Sequence, residues 1–172
     1  MMRTANATLD ALRSFPDRLE AHFSAVPAAY RRWAPSSWDG VPSEALTAIE
    51  QLCHVRDIEI DGYQVRFRRT LGENNPTLAS IDTDALVVER AYAGADAAGV
   101  LASFRDARHA TVAMLEQLAP AQFERTAVFE GYGSVTLRGL VHYLCSHDQQ
   151  HLAGLQWLLG KIEGERVDGL QG

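Results

Sequence analysis

The sequence predicts an all-α protein, a four-helix bundle, on three observations. Apolar residues recur at three-or-four spacing through four long segments. The stretches between them collect proline, glycine and turn-forming residues. No run shows the alternation of a convincing sheet strand. Four amphipathic faces are most economically buried against one another.

The first helix is expected from a cap at Thr8, with Leu9, Leu12, Phe15, Leu19 and Phe23 as its stripe. Pro16 interrupts it. A proline inside a helix removes one hydrogen bond and clashes one turn back, so a kink or a restart is expected there. The segment "AVPAAYRRWAPSSWDGVPSEA" holds three prolines, a glycine and three serines, and reads as a connection. Helix two is expected from a cap at Ser43 to about Arg69, along Leu46, Ile49, Cys53, Ile60, Tyr63 and Phe67. A long connection between helices two and three follows, over 70 to 96, with a short helical piece at 84 to 90. Helix three is expected from Ala97 to Leu118, along Leu101, Phe104, Arg108, Thr111, Leu115 and Leu118. "AVFEGYG" has an extended character but is short and bounded by glycine, so no sheet is expected. Helix four is expected to start after Ser134 or Val135 and to reach about Lys161, along Leu137, Leu140, Leu144, Leu155 and Leu158.

The chain has 172 residues, a length that suits one domain over 1–172. Hydrophobic residues make up 47% and charged residues 22%, an ordinary globular balance. The net charge of -6, without a basic block, argues against nucleic acid and against anionic membrane as partners. Cys53 and Cys145 each lie in an apolar helical pattern, so reduced thiols and a cytoplasmic location are expected. No apolar run approaches the roughly 18 residues of a membrane span. The N-terminus lacks the apolar core of a signal peptide.

In "VHYLCSHDQQHLAGLQWLLG" the apolar series of helix four has a gap, and His147 and His151 fill it at the same spacing. They therefore face inward, one turn apart, near enough to clasp one ion. Two readings are open: each imidazole is a satisfied core group, or the two share a cation. A third ligand would come from another helix, and His54 is the best placed. Its position is off the apolar stripe of helix two by about 100° or more, on a polar strip with Glu50, Asp57 and Asp61. That strip either borders a cleft and supplies carboxylates that orient the histidines, or is a solvated acidic face. His22, His109 and His142 read as surface or rim residues. H-D-Q-Q-H differs from the zincin H-E-x-x-H pattern in the shorter Asp148. No Glu stands three before His54, His147 or His151, as di-iron bundles require. Phosphate loops, dinucleotide fingerprints and nucleophile elbows are absent.

Several segments together resemble one family. They are "ALRSFPDRLEAHF", Trp38, "ALTAIEQLCHVRDIEIDGYQVRFRRTL", "NPTLASID", "VLASFRDARHATVAMLEQL" and "GSVTLRGLVHYLCSHDQQHLAGLQWLL". In order and spacing the chain resembles the DinB/YfiT-like superfamily of bacterial metal-binding four-helix bundles, over nearly its full length. The resemblance implies a metal triad on His54, His147 and His151. It also implies helices out of simple up-down order, a homodimer, and nickel or zinc as the divalent metal, with iron as a third option. Some members of that superfamily use low-molecular-weight thiols.

Three neutral histidines leave a coordination position open, the pattern of a catalytic site. The expected function is a metal-dependent hydrolase or thiol transferase acting on a small molecule. Asp57 and Asp148 are the candidates to orient a ligand or carry a proton, against the alternative of a surface Asp148. Arg56 and Arg108 are candidates for an anionic substrate, against the alternative of surface salt bridges. The other class of reading is a non-catalytic metal-binding stress-response protein whose ion ties helix two to helix four.

Overall fold

The structure, a computed structural model, describes residues 2–170, with side chains from residue 7. Helix α1 spans Met2–Ala25 and runs through Pro16 as one element. It begins upstream of Thr8, which therefore does not cap it. The expected restart at Pro16 is absent for a physical reason. Pro16 has no N–H to give the Leu12 carbonyl, and Arg108 supplies a donor instead, its Nη1 lying 3.0 Å from Leu12 O.

Helix two is a continuous rod made of α2 (Ala48–Asp57), a π-helical segment (Ile58–Tyr63) and α3 (Gln64–Gly72). Its cap is Thr47, not Ser43. The Glu50 carboxylate accepts the Thr47 backbone N–H at 2.8 Å, one arm of a capping box. The wide turn of the π segment inserts extra arc and shifts the phase of the buried face. Ile58, not Ile60, is therefore the core residue there.

Between Gly72 and Ala97 lie β1 (Thr77–Leu78), α3's successor α4 (Thr83–Glu89) and a turn at Tyr92–Gly94. Asp82 caps α4 by accepting the Ala85 N–H at 3.0 Å. Helix α5 spans Ala97–Glu116, capped by Asp96 on the Gly99 N–H, and ends short of Leu118. Helix α6 spans Leu137–Asp168, capped by Thr136 on the Gly139 N–H, and continues well beyond Lys161.

The expectation of no sheet is corrected. Strand β2 (Thr126–Phe129) pairs antiparallel with β3 (Gly133–Thr136), and β1 pairs parallel with β2, Thr77 opposite Val128. Strands of two to four residues are too short for alternation to stand out. Gly131 and Gly133, both at φ +83°, provide the left-handed geometry of the hairpin turn.

In the bundle α1 packs on α5 and α6, and α2 packs on the same two from the other side. The apolar core has two halves. One gathers Phe15, Leu19, Phe104, Leu52, Leu155 and Leu158. The other gathers Leu12, Ile58, Phe67, Val112, Leu140 and Leu144 beneath the sheet. A polar layer at Gln51, His54, Glu59, Arg108, Asp148 and His151 lies where these halves meet. No helix of the described residues is long and apolar enough to cross a membrane.

Candidate metal centre

The polar layer contains two adjoining constellations. In the first, α2 delivers His54 and α6 delivers His147 and His151 to one point. His54 Nε2 is 3.1 Å from His147 Nε2, and His151 Nε2 is 3.2 Å from His147 Nε2. His54 and His151 are buried, and His147 is 14% exposed. Glu44 reaches the same point from the irregular segment before α2. Its Oε1 is 3.4 Å from His54 Nε2 and 3.9 Å from His147 Nε2, and its Oε2 is 3.1 Å from His151 Nε2. The four side chains form a cluster capable of holding a metal ion.

The proton assignment follows from Gln51. Its Nε2 donates to Leu46 O at 3.2 Å, which turns Oε1 toward His151 Nδ1 at 3.1 Å. His151 therefore carries its proton on Nδ1, and its Nε2 presents a lone pair to His147 and Glu44. Burial first, then His151 and His54, pull the His147 pKa well below its ordinary value. Burial likewise lowers that of His151. Burial opposes ionisation of Glu44, yet His151 and His54 hold its carboxyl well below the usual carboxylate range.

Several lone pairs thus face one another at contact distance. Glu44 Oε2 and His54 Nδ1 are buried without a hydrogen-bond partner among the described residues. Ligands about 2.05 Å from a tetrahedral metal stand about 3.3 Å apart, close to the separations found here. A divalent transition metal fits this nitrogen–oxygen donor set.

Gly154, one turn past His151, makes the approach feasible. A Cβ there would collide with Ser43 Oγ and stand 2.8 Å from Gln51 Oε1. Its absence lets the Glu44 segment and Gln51 close on α6.

The second constellation is Arg108 with Glu59 and Asp148, each about 1% exposed. Arg108 Nε and Nη2 meet Glu59 at 3.0 and 2.9 Å. Its Nη1 and Nη2 meet Asp148 at 2.7 and 2.8 Å. With Leu12 O, all five guanidinium N–H groups are used. Asp148 is therefore not the surface residue that was one alternative, and Arg108 forms a buried pair, not a surface salt bridge. The cause is the inward stripe of α5, which carries Arg108 into the core, where it must meet carboxylates.

Asp57 is buried, accepting from the Tyr92 hydroxyl at 2.6 Å and from Arg56 at 2.8 Å. Neither Asp57 nor Asp148 is among the groups that converge on the histidines. The strip holding His54 is neither a solvated acidic face nor a source of carboxylates for the imidazoles. Glu50 caps α2, and Asp61 pairs with Arg90 at 2.7 Å. His109 and His142 are exposed, and His22 is partly exposed with Nδ1 2.9 Å from Arg18 O. Cys53 and Cys145 are free thiols, and burial raises the Cys53 pKa to about 11.

Glu44 and Gln51 escaped the sequence reading. Glu44 lies in irregular chain, where no periodicity assigns a direction. Gln51 had one available signal, its place one turn before His54 on the same helix.

The DinB superfamily model matches residues 11–155 of the chain. A solved structure, YfiT from Bacillus subtilis, described as a probable metal-dependent hydrolase with an unusual four-helix bundle topology, aligns with TM-score 0.80 at 19% identity. The alignment covers 95% of this chain and 90% of that chain. At such identity the likeness is one of fold. No curated protein sequence matches the chain.

Proposed function

Because the chain belongs to the DinB superfamily, we propose that it is a metal-dependent hydrolase of a small molecule, with His54, His147 and His151 holding zinc or nickel. The observation that carries this reading is the convergence of three Nε2 atoms at 3.1 and 3.2 Å, with an ionised carboxylate beside them. The printed description of the YfiT structure points the same way. Once bound, the metal supplies Lewis acidity and draws the pKa of a coordinated water toward neutrality.

The protein's own groups do the rest. Gln51 fixes the His151 tautomer and ring direction. Burial keeps His147 and His151 neutral, as ligands must be. Glu44, whose side chain is 38% exposed, stands on the solvent side of the cluster. It is placed to accept a hydrogen bond from an attacking water and orient it.

One observation favours a second reading. Glu44 brings a fourth protein donor, and four protein donors close a site as structural metals require. In that case the ion is a tie between α2, α6 and the segment before α2. Metal content by plasma mass spectrometry, with hydrolysis of a panel of activated esters and amides, separates the two. The hydrolase reading expects stoichiometric metal in wild type and in Glu44→Gln, with hydrolysis lost only in the variant. Metal lost in Glu44→Gln, with no hydrolysis by wild type, selects the tie. Wild type that takes up no zinc, nickel or iron refutes both.

A further inference from the structure

Two arginines are buried among the described residues, Arg108 and Arg66. Arg108 meets two carboxylates; Arg66 meets none. Arg66 is 6% exposed, its Nε is buried without an acceptor, and its one hydrogen bond runs from Nη2 to Ala79 O at 3.4 Å. The guanidinium carbon lies 4.5 Å from the Phe129 ring centroid and 4.9 Å from that of Tyr63. Those ring faces attract a cation but accept none of its in-plane N–H groups. A buried charge without a counter-charge is costly, and folds rarely keep one without a use. Burial accordingly draws the Arg66 pKa down.

Space is kept for this group. A Cβ at Gly62 would stand 3.1 Å from Arg66 Nη1 and 3.3 Å from Ile81 Cδ1. One aromatic ring separates Arg66 from the histidines, since Tyr63 also packs against His147 with centroids 6.4 Å apart. Tyr143 lies one turn before His147 on α6 and packs on Tyr132, centroids 5.0 Å apart. Tyr132 stacks on Phe129 at 4.5 Å. Tyr132 is 58% exposed and Tyr143 37%. Two buried rings, Tyr63 and Phe129, therefore flank the guanidinium, Tyr63 joins it to the histidine cluster, and the exposed Tyr132 and Tyr143 lie on the outer side of Phe129.

We propose that Arg66 is an oxyanion subsite: it holds the carboxylate or phosphoryl group of an anionic substrate whose apolar body lies on Tyr132 and Tyr143 and whose reacting end reaches the histidines. This rests on the hydrolase reading of that cluster. The missing counter-charge of Arg66 is then brought by the substrate, as a charge-assisted pair.

The test is calorimetric titration of the full chain, with metal content measured on each sample. The probes are benzoate, phenylphosphonate and the neutral benzamide. The better anion is expected to bind about tenfold or more tightly than benzamide, and its identity assigns a carboxylate or a phosphoryl group. Arg66→Met is expected to erase that preference, Arg66→Lys to keep part of it, and His147→Ala to retain it. A preference that survives Arg66→Met, or that disappears in His147→Ala because the anion sits on the metal, overturns the proposal.

If Arg66→Met does not fold, Tyr132→Ala decides. All three probes are expected to weaken together with the anion still ahead, and unchanged affinities refute the subsite. Bound metal with no anion preference in wild type refutes the subsite and leaves the hydrolase reading. Anion preference in a protein that takes up no metal does the reverse.

Discussion

Replacing Arg108 by methionine should bring the protein close to unfolding at pH 8. The substitution keeps most of the aliphatic volume and removes five donors. Glu59 and Asp148, each about 1% exposed, lose their partner. Breaking a buried ion pair from one side costs about 3–5 kcal/mol. Leu12 O, which Pro16 cannot serve, loses its donor as well, adding about 1–3 kcal/mol for an unsatisfied buried carbonyl. Proton uptake by Asp148, which burial already pushes up to about 7, offsets part of this. A net loss of about 4–6 kcal/mol is expected, against a typical total of about 5–15.

The pH dependence has a definite sign. Asp148, already raised by burial, loses in the variant the guanidinium that opposes the rise. The destabilisation from its charge is complete above the folded value and fades as pH falls toward the unfolded one. The loss should therefore be smaller at pH 5 than at pH 8. Urea denaturation at both pH values measures it. Adding Glu59→Gln and Asp148→Asn should recover part of the stability. A loss under about 1 kcal/mol at pH 8, or one that grows on acidification, would show that this triad does not carry a buried charge as described.

Three further outcomes are expected. Gly154→Ala should push Ser43 and Gln51 off α6 and weaken zinc or nickel binding about tenfold or more; unchanged affinity in a metal-competition titration would refute the role given to that glycine. Gln51→Leu should weaken metal about 10–100-fold by releasing the His151 tautomer, with little change in fold by circular dichroism; an affinity equal to wild type would contradict the assigned proton. For the metal-free protein, the lowered pKa values of His147 and His151 mean that the unfolded chain binds protons first. Stability should fall as pH drops below about 6.5, by up to about 1.4 kcal/mol per pH unit per histidine. A melting temperature flat from pH 7.5 to 5.5 would count against buried neutral imidazoles.

His147 and His151 were legible because they occupy a gap in an apolar series whose period is unbroken along α6. Arg108 was legible as an inward residue for the same reason on α5. Its partners were not, since Glu59 and Asp148 stand on other helices and periodicity says nothing about what faces across a core. His54 does stand about 100° off the apolar stripe, but α2 is buried on nearly every side, Gln51, Leu52, Cys53, Val55 and Asp57 included, so an off-stripe position there still faces protein. Pro16 announced a lost hydrogen bond correctly, while the replacement donor lay far along the chain. The sheet stayed hidden because β1, β2 and β3 are each shorter than the pattern needed to recognise a strand. Glu44 belongs to chain whose direction is set only by what it packs on.

The π-helical segment at Ile58–Tyr63 makes one stretch of this chain able to lose a residue but not to gain one. Upstream of it stand Gln51 and His54; downstream stand Arg66 and Phe67. A π turn holds one residue more than an α turn, so deleting a single residue within the segment would relax it to ordinary pitch and leave the two flanks nearly in phase. Inserting one would turn everything on one side by about 100° relative to the other. His54 could keep its place, but Arg66 would then leave the rings of Tyr63 and Phe129. Descendants of this chain can exchange exposed side chains along the rod. Between the imidazole and the guanidinium they inherit a count of residues that can shrink by one but not grow.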